Sequence, residues 1–457
     1  MIGGDRPSLT TGVLCLAVLV FASAQTSVAP AILQMARELD STTQTAAWTF
    51  TAYMVSAAVL TPVIGRLGDM FGKRRLLAIV LGLFALGALV AATVPRMDAV
   101  ILGRVVQGAG GGIVPLSFGL IRDHVPAVHR TTAIGLVSSL AGLGMGFGLV
   151  LGGVLVDRFS FEAIFWSAAA TAALAAVAVR LVLEESPTGG VRRVDWWGIS
   201  WLSAGLFAVM LAVGQLNAWG AADPRTIVLA LTGLALLVVF GLVERRVPHP
   251  LLDLSLLVHP SVLLANVAAL LVGFAAFSVF VLVPQFAQTP GSAGFGFGSD
   301  ATQVGLLMMP GCILMVLAGP VAARLGRTAG GKLPMAAGST LIAVGMMFLA
   351  HNRASLMALF APTVLVLFGL GLSFASTANL IIDHAPAGAT GEATGVNAVV
   401  RALGNALGVQ ATAAVVGAGQ LGLVDARYST AFLLCAVVAA VATLTAALVP
   451  RGGVPPR

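Results

Sequence analysis

Charge is what this sequence lacks. Only 9% of its 457 residues are Asp, Glu, Lys or Arg, whereas a soluble domain carries about a quarter. So thin a supply cannot cover a water-facing surface, and a soluble globular fold is excluded. Lysine is rarer still, with Lys73 and Lys332 the only two. Cysteine occurs three times, as Cys15, Cys312 and Cys435, each alone within an apolar run. No metal-ligand spacing and no disulfide framework can be built from them. The 25 bases lie in short clusters without an aromatic–basic patch, so a net charge of +7 does not point to nucleic acid. "GRTAGGKL", from Gly326, nearly spells a phosphate loop, but Leu333 replaces the hydroxyl residue and no strand precedes it. "GFGFG" at Gly294–Gly298 likewise lacks a strand–turn–helix setting. No enzyme, metal or cofactor is expected.

Apolar runs fill the rest. A hydrocarbon core needs about twenty apolar residues per helix, and fourteen stretches qualify: Gly12–Leu33, Ala47–Ile64, Leu76–Val94, Ala99–Ile121, Thr132–Leu155, Ala163–Val179, Trp196–Leu216, Thr226–Val243, Val262–Pro284, Ala301–Ala322, Leu333–Ala350, Leu356–Ile382, Thr394–Ala418 and Thr430–Val449. The first also resembles a signal-peptide core ending near Ala22–Ala24, but its apolar run continues through "VAPAIL" and it reads as a span. With the N-terminus inside, the inner loops and tails hold 17 bases, the outer loops six, and the spans Arg104 and Arg401. That asymmetry places both termini in the cytoplasm of a multi-pass cell-membrane protein.

One cluster recurs. "PVIGRLGDMFGKR" from Pro62 returns 258 residues later as "PVAARLGRTAGGK" from Pro320, with Gly72 falling on Gly330 and Asp69 on Arg327. The copies join spans 2–3 and 10–11. A shift of eight helices is what two six-helix halves give when two extra helices separate them, a parallel repeat of the kind secondary transporters use. The expected fold is all-α: two pseudo-symmetric six-helix bundles plus two inserted central helices. The expected boundaries are 1–183 for the first bundle, 184–257 for linker and inserted helices, and 258–457 for the second bundle. The glycines of the first copy permit a tight turn and close helix approach. A topology anchor explains its bases but not its glycines or its acid.

Gly65, Leu67, Asp69, Gly72, Lys73 and Arg74 match the G-x-L-a-D-r-x-G-r-k signature of the major facilitator superfamily, which the chain resembles over nearly its whole length. "ILGRVVQGAGGG" in span 4 resembles that superfamily's l-x-x-R-x-x-q-G motif through Arg104, Gln107 and Gly108. A lone Arg at mid-membrane costs roughly 2.5–3.5 kcal/mol on insertion scales, so it must face a partner, water or the bundle interior. A buried structural arginine is the alternative to a functional one. The resemblance ties Arg104, with Gln107, to proton coupling. In span 5, Gly144, Gly148 and Gly152 make two G-x-x-x-G steps for close helix packing. With Gly153 they resemble the antiporter motif g-x-x-x-G-P-x-x-G-G, whose proline is Leu149 here. Span 13 carries a stripe of Asn397, Arg401 and Asn405, resembling the fourteen-span drug:proton antiporters, as do the two extra helices.

What the resemblance implies is a gradient-driven multidrug efflux antiporter that moves amphipathic small molecules against protons by alternating access, as a monomer in the bilayer. Antibiotic resistance would be its physiological outcome. Helices 1, 4, 9 and 12 would line its site through Gln25, Thr26, Arg104, Gln107, Ser373, Ser376 and Asn379, bordered by Asn397 and Arg401. Gly65, Asp69, Gly72, Lys73, Arg74 and Asp123 would form a cytoplasmic latch. None of the 18 acids stands clearly at mid-membrane, and "VFASAQTSVAP" in span 1 has no acid where many such antiporters carry an Asp. The six histidines read as loop residues. With Arg104 and Arg401 in the spans and no counter-charge, neutral or anionic substrates are expected over cations. An importer or facilitator of a small solute, and a non-transporting lipid-handling scaffold, are the competing readings.

Overall fold

A computed structural model describes residues 7–186, 196–220, 222–246, 260–291, 295–384, 390–417 and 424–449. Helices are the regular structure throughout, and there is no strand among the described residues. Within these residues, fourteen helical stretches are long and apolar enough to cross a membrane. The residues cluster into two units, Met1–Val194 and Asp195–Arg457.

Unit 1 contains six spans. Span 1 is α1 (Pro7–Thr26), a 3-10 turn (Ala29–Ala31) and α2 (Ile32–Glu38). Its break has a local cause. Pro30 has no N–H, and its ring clashes with the carbonyl of residue 26, where α1 stops. Span 2 is α3 (Thr43–Phe71), capped by the Thr42 side chain on the Thr45 N–H at 3.0 Å. Span 3 is α4 (Lys73–Thr93). Span 4 is α5 (Met97–Gln107), a 3-10 segment (Gly108–Gly112) and α6 (Ile113–His124). Four glycines in five residues weaken that helix, and they leave room for α3, whose Ser56 and Ile64 lie against Gly108 and Gly112. Spans 5 and 6 are α7 (Ala127–Arg158) and α8 (Phe161–Val182).

Unit 2 opens with the inserted pair, α9 (Trp196–Gly214) and, after a short α10 (Leu216–Trp219), α11 (Pro224–Glu244), which pack on each other. Six spans follow. Span 9 is α12 (Pro260–Phe277) and α13 (Val279–Gln288), interrupted at Ser278. Spans 10 to 14 are α14 (Ala301–Ala329), α15 (Lys332–His351), α16 (Leu356–His384), α17 (Thr390–Gly417) and α18 (Val424–Leu448).

The repeat extends to packing. In unit 1, span 1 lies on spans 5 and 6, span 2 on span 4, and span 3 on spans 4 and 6; in unit 2, span 9 lies on spans 13 and 14, span 10 on span 12, and span 11 on spans 12 and 14. The crossings also match. A side chain at Gly148 would strike the carbonyl of Ser23 on α1, and one at Gly152 that of Ser27 just beyond its end. One at Gly404 or Gly408 would strike those of Leu270 or Phe274 on α12. Gly72 and Gly330 both end a helix at positive φ, 99° and 78°, a conformation glycine adopts without penalty. The three cysteines are buried singly. His124, His129, His351 and His384 fall in terminal turns of helices rather than in loops, because the helices run past the apolar segments.

Candidate functional site

The polar interior of unit 1 gathers at the breaks in spans 1 and 4. Arg104 lies in the last turn of α5 and is 1% exposed. Its Nε donates to the Thr49 carbonyl at 3.0 Å, and its Nη1 donates to the Ala24 carbonyl at 3.3 Å and to Gln107 Oε1 at 2.9 Å. Its guanidinium lies 4.1 Å from the ring centroid of Tyr53 on α3. No carboxylate pairs with it among the described residues. The local chain explains how the charge is tolerated. Ala24 is in the last turn of α1, where carbonyls lack intrahelical partners and the helix dipole is negative, and an aromatic face attracts a cation.

Thr26, the last residue of α1, donates its hydroxyl to the Met145 carbonyl of α7 at 2.6 Å. Gln25 is half-buried and points Nε2 at Met54 Sδ, 3.6 Å away. Gly144, Gly148, Gly152 and Gly153 are buried along α7, and the first three form the groove that receives α1.

A second cluster lies where α3 turns into α4. Lys73 Nζ reaches Asp123 Oδ2 at 2.7 Å, its stem lying over Gly119 of α6. Gly72 cannot cap α4 with a side chain, and Glu185, beyond the end of α8, does so instead. Its carboxylate accepts from the Arg74 and Arg75 backbone N–H groups at 3.0 and 3.2 Å, and a Cβ on Gly72 would strike it. The Arg74 guanidinium donates to the Leu183 carbonyl at 3.0 Å. Gly65 has open space around it on α3. Asp69 stands in the last turn of α3, its side chain outside the described residues.

In unit 2, Asn397 on α17 donates to Asn266 Oδ1 on α12 at 3.0 Å, both buried. The Arg401 guanidinium lies 4.5 Å from the Phe374 ring centroid on α16, and Asn405 is buried against Gly273 of α12. The stripe on α17 is thus divided between α12 and α16. Ser373 is buried beside Gly338, and the Ser376 hydroxyl is spent on the Leu372 carbonyl at 2.6 Å. The Asn379 side chain is outside the described residues.

A family model described as Major Facilitator Superfamily matches residues 14–409. The chain belongs to the major facilitator superfamily. It is therefore a multi-pass membrane transporter of small molecules and not an enzyme. Multidrug resistance protein Stp of Mycobacterium tuberculosis is 28% identical over 382 residues, covering 81% of this chain and 68% of that one. The uridine/deoxyuridine transporter of Lactococcus lactis is 26% identical over 383 residues, covering 81% and 78%. The crystal structure of the human organic anion transporter MFSD10 has the same fold, with a TM-score of 0.62 at 17% identity over 95% of this chain and all of that one.

The structure of this facilitator brings Arg104 to Gln107, which the sequence placed on one helical face, and sets Lys73 against Asp123, a pairing the sequence did not name. It adds Tyr53, Thr49, Glu185 and Asn266. Asn266 carried a sequence signal, being an amide inside span 9. Glu185 carried none, because its partner is 110 residues away.

Proposed function

We propose that the protein exports amphipathic small molecules, neutral or anionic ones above cations, by alternating access with proton influx. What supports the choice of substrate is Arg104: a full positive charge buried at two helix breaks, held by carbonyls and a ring rather than by an acid. A permanent cation would be repelled there, and the low dielectric of the interior strengthens that repulsion. Discontinuous spans are where secondary transporters place their substrate sites, and span 1, span 4 and span 9 are all broken. The name of the Mycobacterium relative supports drug export. We further read Lys73–Asp123 with Asp69, Gly65, Gly72 and Arg74 as a latch at the cytoplasmic end, with both termini on that side and the protein working as a monomer.

The test is flux in liposomes with an imposed pH gradient, following internal pH while neutral, anionic and cationic amphiphiles are added. Proton movement driven by neutral and anionic amphiphiles, and abolished in Asp69→Asn, is the expected result. Quaternary cations as the best substrates would reject the substrate class. Substrate movement without protons would remove antiport. Full activity in Asp69→Asn would reject the latch. The Lactococcus relative, named as a uridine/deoxyuridine transporter, favours a second reading, transport of a polar neutral solute, which the same vesicles would reveal as saturable nucleoside flux.

A further inference from the structure

Counting donors around Arg104 leaves a surplus. A guanidinium has five N–H groups and no acceptor. Three are satisfied, by Thr49, Ala24 and Gln107. Nη2, with the other two, has no partner. Because Arg104 can only donate, it fixes the Gln107 amide with Oε1 inward, so Gln107 Nε2 presents two further N–H groups, and it too has no partner. The Tyr53 hydroxyl, on the ring stacked against the same guanidinium, is the third unpartnered group. All three side chains are at most 1% exposed. Orphaned buried polar groups are rare, and each costs about 1–3 kcal/mol.

Water and an anion would meet this arrangement differently. A water molecule brings as many donors as acceptors, so it can relay the surplus but not reduce it. An anion only accepts, and here it would also meet an uncompensated positive charge. We propose that Arg104 Nη2, Gln107 Nε2 and the Tyr53 hydroxyl form a subsite for an anionic hydrogen-bond acceptor, either the acid group of a transported amphiphile or a small free anion. Tyr53 is then a specificity residue, contributing a hydroxyl that discriminates an acid from its ester. Only the amphiphile as a source rests on the export reading. The subsite itself rests on the donor count.

The test measures binding, not flux. The full chain, purified in detergent, is melted with 2-naphthoate, with methyl 2-naphthoate, and with sodium chloride against sodium gluconate. Arg104 variants are avoided, since that side chain also ties α1 to α3. Tyr53→Phe keeps the ring and removes one donor, and Gln107→Glu keeps the acceptor for Arg104 while placing a carboxylate where the anion would sit. Stabilisation by 2-naphthoate and not by its ester, with Kd about tenfold weaker in Tyr53→Phe and the response lost in a folded Gln107→Glu, supports the subsite with an amphiphile's acid as occupant. The same pattern with chloride alone supports it with a free anion. Equal shifts from acid and ester, no shift from any anion, or wild-type responses in both variants would overturn it. A protein that binds the acid yet moves nothing in vesicles would reject export and leave the subsite standing.

Discussion

Arg104 and Glu185 do opposite things with charge. Arg104 is inside the bundle, where its charge is held by carbonyls, a side-chain amide and a ring. Glu185 sits at a helix start and completes α4 from outside it. A cap is worth about 1 kcal/mol, and the accompanying contacts to Arg74 and Arg75, at 3.6 and 3.5 Å and partly solvent-exposed, add little. Glu185→Ala should therefore lower stability by about 1 kcal/mol in thermal unfolding, with Glu185→Asp intermediate. Gly148 tests the packing more severely. Gly148→Leu drives a side chain into the Ser23 carbonyl, and overpacking of this kind costs at least about 1–3 kcal/mol. Loss of a monodisperse peak on size exclusion is expected, while Gly12→Ala, with open space around it, should elute as wild type. Arg104 was legible in the sequence because a charge in an apolar run has few explanations. Tyr53 was not, since one tyrosine in a span looks like any other buried aromatic until its neighbours are known.

Spans are where the sequence was most legible, because apolar length is counted directly from residues. Their interruptions were harder to see. A hydropathy window measures transfer from water and is blind to backbone hydrogen bonding, so "SVAPA" and "GAGGG" passed as ordinary membrane segments although Pro30 and four glycines break the helix ladder there. Helix ends were missed for a related reason. α3 and α7, of 29 and 32 residues, continue past the hydrocarbon into charged sequence that the window rejects. Pro30→Ala restores an N–H and removes the ring clash. Slower amide exchange from Val28 to Ile32, with α1 and α2 merging, is the expected readout; unchanged exchange would mean that packing rather than proline sets the break.

The repeat was visible only where the glycine-rich turn preserved it, at Gly72 and Gly330. Elsewhere the two units have kept the packing and the glycines at the contact, Gly148 and Gly152 in span 5 and Gly404 and Gly408 in span 13, while the residues around those glycines differ. The orientation drawn from 17 inner and six outer bases makes a further prediction. With the buried native cysteines replaced by alanine, Arg96→Cys should react with an impermeant maleimide on intact cells, and Arg245→Cys only after permeabilisation. The reverse pattern would invert the topology. The cap on α4 also bears on how the protein is made. Domains assemble during synthesis from the N-terminal end, yet the first turn of α4 is completed by a residue that leaves the ribosome 110 positions later. The third span therefore waits at the membrane surface with its leading amides unmatched until the sixth has been inserted. A ribosome stalled before Glu185 would expose the corner at Gly72 to proteases, and one stalled well beyond it would not.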